Sequence, residues 1–132
     1  MTEREAKQLN QLVLAFVGDS VFTLFVRERL AVTHDSKAGA LHKIASDIVK
    51  ATAQAKFLDL LEPEFTDEER DIARRAKNSH NNTKAKNASV HDYKKATEFE
   101  AVIGYLHLTG QEERKNYMME KSYNAAIGEK NE

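Results

Sequence analysis

The chain has 132 residues, of which 31% are charged and 41% hydrophobic, and its formal net charge is −1. This length supports one hydrophobic core, so we expect a single domain over residues 1–132, and the composition excludes a disordered chain. The absence of cysteine excludes a disulfide framework and a thiolate metal site. The polar N-terminus does not resemble a signal peptide, and the longest apolar run is too short for a membrane span. We therefore expect a cytoplasmic protein.

The turn-forming residues are few, with one proline and five glycines, which favours long helices over many short strands. Apolar spacing predicts helices over residues 8–30, 37–61, 66–77, 89–108 and 111–127, and the second of these is one helix or two, with the break near 50–53. The predicted N-caps are Ser36, Thr66 and Ser89, and Gly110 is typical of a residue that ends a helix. Tyr117, Met118 and Tyr123 are expected to face inward. The predicted class is all-α.

The first long helix contains a run, Leu12 to Val26, that is apolar except for one charge, Asp19, and a few small or polar residues. A helix that is apolar all round is expected to be buried all round. The pattern therefore predicts that Asp19 lies in or beside the core. Because an unpaired buried carboxylate is costly, Asp19 requires a partner.

Glu100 is the candidate partner, since it is the other acid set in a strongly apolar helix, between Phe99 and Ile103. Both helices also contain an interior glycine, Gly18 and Gly104, which costs about 1 kcal/mol relative to alanine and often marks close approach of another backbone. Two half-buried carboxylates on crossing helices can share a hard divalent cation, Mg²⁺ or Mn²⁺, that keeps several waters. The alternative is that each acid accepts hydrogen bonds or pairs with a Lys or Arg.

Charge is unevenly distributed, because residues Arg74 to Lys95 carry a net +6 and the rest of the chain −7. Within this stretch, residues 78–89 are polar, basic and rich in asparagine. A connection of this length in a compact helical domain is usually functional or mobile. The stretch is either a surface that faces a polyanion or a solvated charged loop.

Two segments resemble motifs of a known family. Residues 14–22, Leu-Ala-Phe-Val-Gly-Asp-Ser-Val-Phe, resemble the signature helix of the ribonuclease III family, and residues 96–104, Ala-Thr-Glu-Phe-Glu-Ala-Val-Ile-Gly, resemble its second acidic helix. Their order and separation match a ribonuclease III catalytic domain, and the resemblance extends from Leu9 to Leu108. The chain ends soon afterwards, so we expect no double-stranded-RNA-binding domain, as in the short Mini-ribonuclease III branch of the family.

The resemblance implies a compact helical fold, a homodimer and a Mg²⁺-dependent endonuclease, with Mn²⁺ as an alternative cation, that cuts double-stranded RNA and leaves a 5′-phosphate and a 3′-hydroxyl. By position, Asp19 and Glu100 match two metal-binding catalytic carboxylates of the family. The residues expected to hold the RNA backbone are Arg75, Lys77, Asn78, Lys84 and Lys86. The branch is associated with maturation of the large-subunit (23S) ribosomal RNA precursor, assisted by a large-subunit ribosomal protein.

The chain departs from the longer family members at two positions, where Ala15 replaces a Glu and Thr97 replaces an Asp. Neither residue can bind a metal through a carboxylate, and the short branch resembles this chain at both positions. Water and substrate phosphate oxygens, with the Thr97 hydroxyl as a further candidate, would then complete the metal's ligands. The alternatives are a non-catalytic helical RNA-binding or ribosome-associated module, and a scaffold in which both acids are structural.

Overall fold

A computed structural model describes residues 1–79 and 89–130, with the side chains of residues 129 and 130 excepted. The helices are α1 (Glu3–Gln8), α2 (Gln11–Thr33), α3 (Ala38–Val49), α4 (Ala51–Leu61), α5 (Asp67–Lys77), α6 (Val90–Leu108) and α7 (Glu112–Lys130), with a 3-10 turn at Glu62–Glu64. The predicted all-α class is confirmed. None of the helices in the described ranges is long and apolar enough to cross a membrane.

Several predicted helix ends are confirmed, because local capping chemistry sets them. Thr66 and Glu69 form a reciprocal capping box, in which the Thr66 hydroxyl accepts from the Glu69 amide at 3.1 Å and the Glu69 carboxylate accepts from the Thr66 amide at 2.9 Å. The Ser89 hydroxyl caps α6, and Gly110 follows that helix with a φ of 71°. The region 37–61 forms two helices that meet at Lys50, inside the predicted break.

The N-terminal half differs from the prediction at two helix starts. A short helix, α1, precedes α2, which begins at Gln11 because the Asn10 side chain accepts a hydrogen bond from the Leu12 amide at 2.8 Å. The prediction that Ser36 caps α3 is wrong. The capping position is Lys37, whose side chain makes no capping hydrogen bond.

The last helix confirms two of the three residues expected to face inward. Met118 and Tyr123 are buried, but Tyr117 is 43% exposed, so its predicted orientation is wrong. The Tyr117 hydroxyl donates to the Glu64 carboxylate at 2.6 Å. A tyrosine can keep its ring partly at the surface when its hydroxyl has a polar partner there.

Helices α2 and α6 make the most extensive contact between helices in the described part of the chain. A Cβ atom added at Gly18 would lie 1.8 Å from the carbonyl oxygen of Glu100, and one added at Gly104 would lie 1.9 Å from that of Leu14. The two backbones therefore touch at both glycines, as the sequence predicted. This contact places Asp19, the neighbour of Gly18, beside α6 at Glu100.

The other helices pack around this pair, with α3 against α2, α4 and α5 against α6, and α7 against α6 and α4. Phe22, Phe57 and Phe99, from α2, α4 and α6, form an aromatic cluster with ring centroids 5.0 to 5.9 Å apart. Such contacts add to the stabilisation that burial of the rings provides. The cluster includes Phe99, so it fixes the part of α6 that carries Glu100.

The prediction that α2 is buried all round is wrong. Val13, Phe16 and Leu24 are 44%, 74% and 59% exposed. The packing helices cover the side of α2 that carries Leu14 and Phe22, and leave the opposite side open. Apolar composition indicates that a residue avoids water, but it does not specify which neighbour covers it.

The contact between α2 and α6 predicts that Gly18→Ala is strongly destabilising. The new Cβ would overlap a backbone carbonyl that cannot rotate away, so we expect the free energy of unfolding to fall by at least about 3 kcal/mol. Urea unfolding monitored by circular dichroism measures this change. Gly39→Ala, where a Cβ would meet no atom within 4 Å, is the matched control and should change stability little. Equal stability of Gly18→Ala and the parent would contradict the close approach.

Candidate active site

The structure brings Asp19 and Glu100 together at the crossing of α2 and α6. Their side chains share a hydrogen bond, and the Glu100 carboxyl lies half-buried between the helices. Asp19 itself is exposed, so it does not lie in the core and borders it through its contact with Glu100. The site thus consists of an exposed carboxylate, Asp19, beside a partly exposed one, Glu100.

The pKa of Glu100 is raised to about 9, first by burial and then by the negative charge of Asp19 and the hydrogen bond to it. At neutral pH and without a cation, Glu100 therefore keeps its proton and donates it to the Asp19 carboxylate. Glu100 holds the proton because its own position is poorly solvated and lies beside the negative charge of Asp19.

Gln54 is a third member of the site, and it was not among the residues predicted from the sequence. This glutamine of α4 is 1% exposed, and its side chain hydrogen-bonds to the Glu100 carboxyl, which lowers the pKa of Glu100 in opposition to burial. A signal was present in the sequence. Gln54 stands four residues before Leu58 and seven before Leu61, on the apolar face of an amphipathic helix.

Ala15 and Thr97, the two departures from the family pattern, are both buried. The Thr97 hydroxyl donates to the Tyr93 carbonyl at 3.0 Å. Within residues 1–79 and 89–130, no group of three or more His, Cys, Asp or Glu side chains is arranged to hold a metal ion. The described residues thus offer a cation two carboxylates, which suits a hard ion that keeps most of its water ligands.

The residues expected to bind RNA lie at the end of α5 and beyond it. Arg75 is in the last turn of α5 and forms an ion pair with Asp71 at 3.1 Å, and Asn78 is the C-cap of that helix. Lys84 and Lys86 lie outside the described residues. Helix α5 packs against α6, the helix that carries Glu100.

Lys77, also expected to bind RNA, lies close to a second half-buried acid of α6, Glu98. The pKa of Glu98 is raised to about 7, mainly by burial; Lys77 and Lys95 act to lower it, and Glu62 and Asp59 act to raise it. Lys95 in turn pairs with Asp59 at 2.7 Å. The positive charge of Lys77 is therefore partly neutralised by nearby acids. This cluster is separate from the Asp19–Glu100 pair.

In comparison with known proteins, a family model and the similar relatives indicate the same family. The model of the Ribonuclease III domain matches residues 12–111. The Mini-ribonuclease 3 of Clostridium tetani is 41% identical over 89% of this chain and 79% of its own length. The Mini-ribonuclease 3 of Brevibacillus brevis is 40% identical over 96% of this chain and 94% of its own length, and that of Staphylococcus aureus is 42% identical over 90% of each.

The fold also has a match among solved structures. An X-ray crystal structure of a protein from Fusobacterium nucleatum matches this chain with a TM-score of 0.80 at 30% identity, over 86% of this chain and 92% of the other. The Ribonuclease III domain match includes both crossing helices, and with them Asp19 and Glu100. The chain therefore belongs to the ribonuclease III family, and is an endoribonuclease, a hydrolase of RNA phosphodiester bonds.

Proposed function

We propose that this endoribonuclease cleaves double-stranded RNA by metal-assisted hydrolysis at Asp19 and Glu100, with Mg²⁺ as the cation and Mn²⁺ as an alternative. The observation that supports this most is the meeting of two acids at a backbone contact that requires a glycine on each helix. A non-catalytic module or a scaffold would gain nothing from two carboxylates that repel each other beside its core.

The chemistry of the site fits a divalent cation. Burial and the neighbouring Asp19 charge raise the pKa of Glu100, and a cation between the two carboxylates would relieve that repulsion. Asp19 is exposed, which leaves room for water ligands and for a phosphate oxygen. Mg²⁺ is commonly bound by one or two carboxylates and keeps several waters.

When bound, such a cation lowers the pKa of a coordinated water and neutralises charge that develops on the phosphate. Asp19 would hold the cation at the surface, where an RNA backbone can approach. Glu100 would hold it from the protein side and must release its proton to do so. Hydrolysis in this site would leave a 5′-phosphate and a 3′-hydroxyl.

The basic stretch from residue 74 to 95 would hold the RNA backbone, through Arg75, Lys77, Asn78, Lys84 and Lys86. An A-form duplex hides the base edges of its major groove, so recognition would depend on phosphate contacts and helix shape. Binding that rests on phosphate contacts weakens as salt concentration rises. We therefore expect modest, salt-sensitive affinity.

The protein would act as a homodimer through the exposed face of α2. At about 100° per residue, Val13, Phe16 and Leu24 fall on one side of the helix, and a contiguous exposed apolar surface commonly marks a protein contact. Asp19 lies one turn from Phe16, at the border of this face. A twofold axis through the face would bring two acid pairs close together, one for each strand of a duplex.

The substrate would be the precursor of the large-subunit (23S) ribosomal RNA, processed in the cytoplasm with the help of a large-subunit ribosomal protein. This assignment rests on resemblance to the short branch of the family, and the support for it is the identity of 40% to 42% to three proteins named Mini-ribonuclease 3.

Asp19→Asn is the direct test of the site. We expect Mg²⁺-dependent cleavage of duplex RNA to fall by about a hundredfold or more, since loss of even an outer partner of a metal costs ten- to a hundredfold. Cleavage is measured on a labelled duplex, with circular dichroism and sedimentation to establish that fold and dimer persist.

Glu28→Gln, which removes another exposed carboxylate from α2, is the control variant and should cleave like the parent. Parent-like cleavage by Asp19→Asn would refute the site, and a parent that cuts no duplex would favour the non-catalytic module.

The raised pKa of Glu100 predicts a link between pH, stability and metal. Without a cation, Glu100 is more protonated in the folded than in the unfolded chain between pH about 4.5 and about 9, so its contribution to stability should decrease as pH rises through that window. Cation binding needs the deprotonated acid, so the increase in unfolding temperature caused by Mg²⁺ should grow from pH 6 to pH 9. Thermal unfolding with and without Mg²⁺ measures both trends. In Glu100→Gln the Mg²⁺ effect should be small at every pH; a large, pH-dependent effect in that variant would exclude Glu100 as a ligand.

The proposed dimer predicts that Phe16→Asp yields a monomer, because a charge would be buried at the centre of an apolar contact. Sedimentation equilibrium measures the mass. Val32→Asp is the matched control, since Val32 is 81% exposed on the same helix but outside this face, and it should remain dimeric. A dimeric Phe16→Asp variant would place the interface elsewhere.

A further inference from the structure

Gln54 has an environment that packing alone does not explain. Its side chain is 1% exposed, among the buried apolar residues Ala55, Phe57 and Leu58 of α4. A buried primary amide carries two donor hydrogens and one acceptor oxygen, and each must find a partner or oppose folding. A leucine or methionine would fill the same volume without that requirement.

The Gln54 amide connects two parts of the fold. Its nitrogen donates to the carbonyl of Val49 at 2.9 Å. Val49 is the last residue of α3, so its carbonyl has no acceptor role within its own helix. This bond fixes the amide at the junction of α3 and α4.

The Gln54 side chain also interacts with the Glu100 carboxyl across the interface between α4 and α6. Glu100 thus has two side-chain partners, Asp19 from α2 and Gln54 from α4. The amide nitrogen carries a second hydrogen besides the one given to Val49, and a donor of this kind suits a carboxylate oxygen. An acid at position 54 would instead repel Glu100.

We propose that Gln54 is a positioning residue, whose amide, anchored on the Val49 carbonyl, holds the Glu100 carboxylate in the orientation that faces Asp19 and a shared divalent cation. This inference rests on the proposed function of the acid pair. It assigns to α4 a part in the site that, in the sequence, only α2 and α6 appeared to form. With two carboxylates in place of a larger set, the orientation of each contributes more to cation binding.

The test is Gln54→Met, which keeps the length and volume of the side chain and removes both hydrogen bonds. The Mg²⁺ concentration that gives half of the increase in unfolding temperature should rise by about ten- to a hundredfold, as for other outer-shell partners of a metal. The Mg²⁺ concentration for half-maximal cleavage should rise in parallel, while duplex RNA binding without Mg²⁺ stays unchanged. Gln54→Asn, which keeps the amide but is one methylene shorter, is the second variant and should shift both midpoints in the same direction.

Ser122→Ala is the matched control. Ser122 is fully buried in α7 and its hydroxyl donates to the Met118 carbonyl at 2.9 Å, so the variant also loses a buried bond to backbone, on a helix that carries neither the acid pair nor Gln54. It should leave both Mg²⁺ midpoints unchanged. Mg²⁺ midpoints equal to those of the parent in both Gln54 variants would overturn the positioning role while leaving the proposed function intact. A parent whose unfolding temperature and cleavage do not respond to Mg²⁺ would overturn the proposed function, and the role of Gln54 with it.

Discussion

The contact of two helix backbones at Gly18 and Gly104 is the constraint on which the rest of the structure depends. Each glycine faces a carbonyl of the opposite helix at a distance that no side chain could occupy. Glycine weakens an isolated helix by about 1 kcal/mol relative to alanine, so this sequence gives up local helix stability at two positions. In return α2 and α6 approach closely enough that Asp19 and Glu100 share a hydrogen bond.

The acid pair opposes the folding of the metal-free chain. Because folding raises the pKa of Glu100, the folded state disfavours the carboxylate form, and without a cation Glu100 is protonated at neutral pH. The apolar core that surrounds the crossing offsets this cost, and the edge contacts of Phe22 with Phe57 and Phe99 are part of it. A functional site is a common place for such a conflict between local stability and chemistry.

Helix α2 has two apolar sides in different environments. One side carries Leu14, Gly18 and Phe22 and is buried in the core, while Phe16 and Leu24 on another side are exposed. In the proposed dimer this second side is covered by a second copy, which would account for an apolar composition on both sides of the helix. Asp19 lies at the border between the two, so the proposed site and the proposed dimer contact are placed by the same helix.

The sequence by itself determined the features that act over a few residues. Capping at Thr66 and Ser89, the break at Lys50 and the stop at Gly110 depend on local hydrogen bonds and backbone angles, and all were predictable. The interior glycines and the isolated acids of two apolar helices also pointed to a contact between those helices. Only the tertiary structure decided that Asp19 is exposed and that Gln54 reaches Glu100. Apolar periodicity shows which side of a helix avoids water. It does not show which helix covers that side, or which side chain of a third helix reaches it, because both depend on packing between residues far apart in the chain.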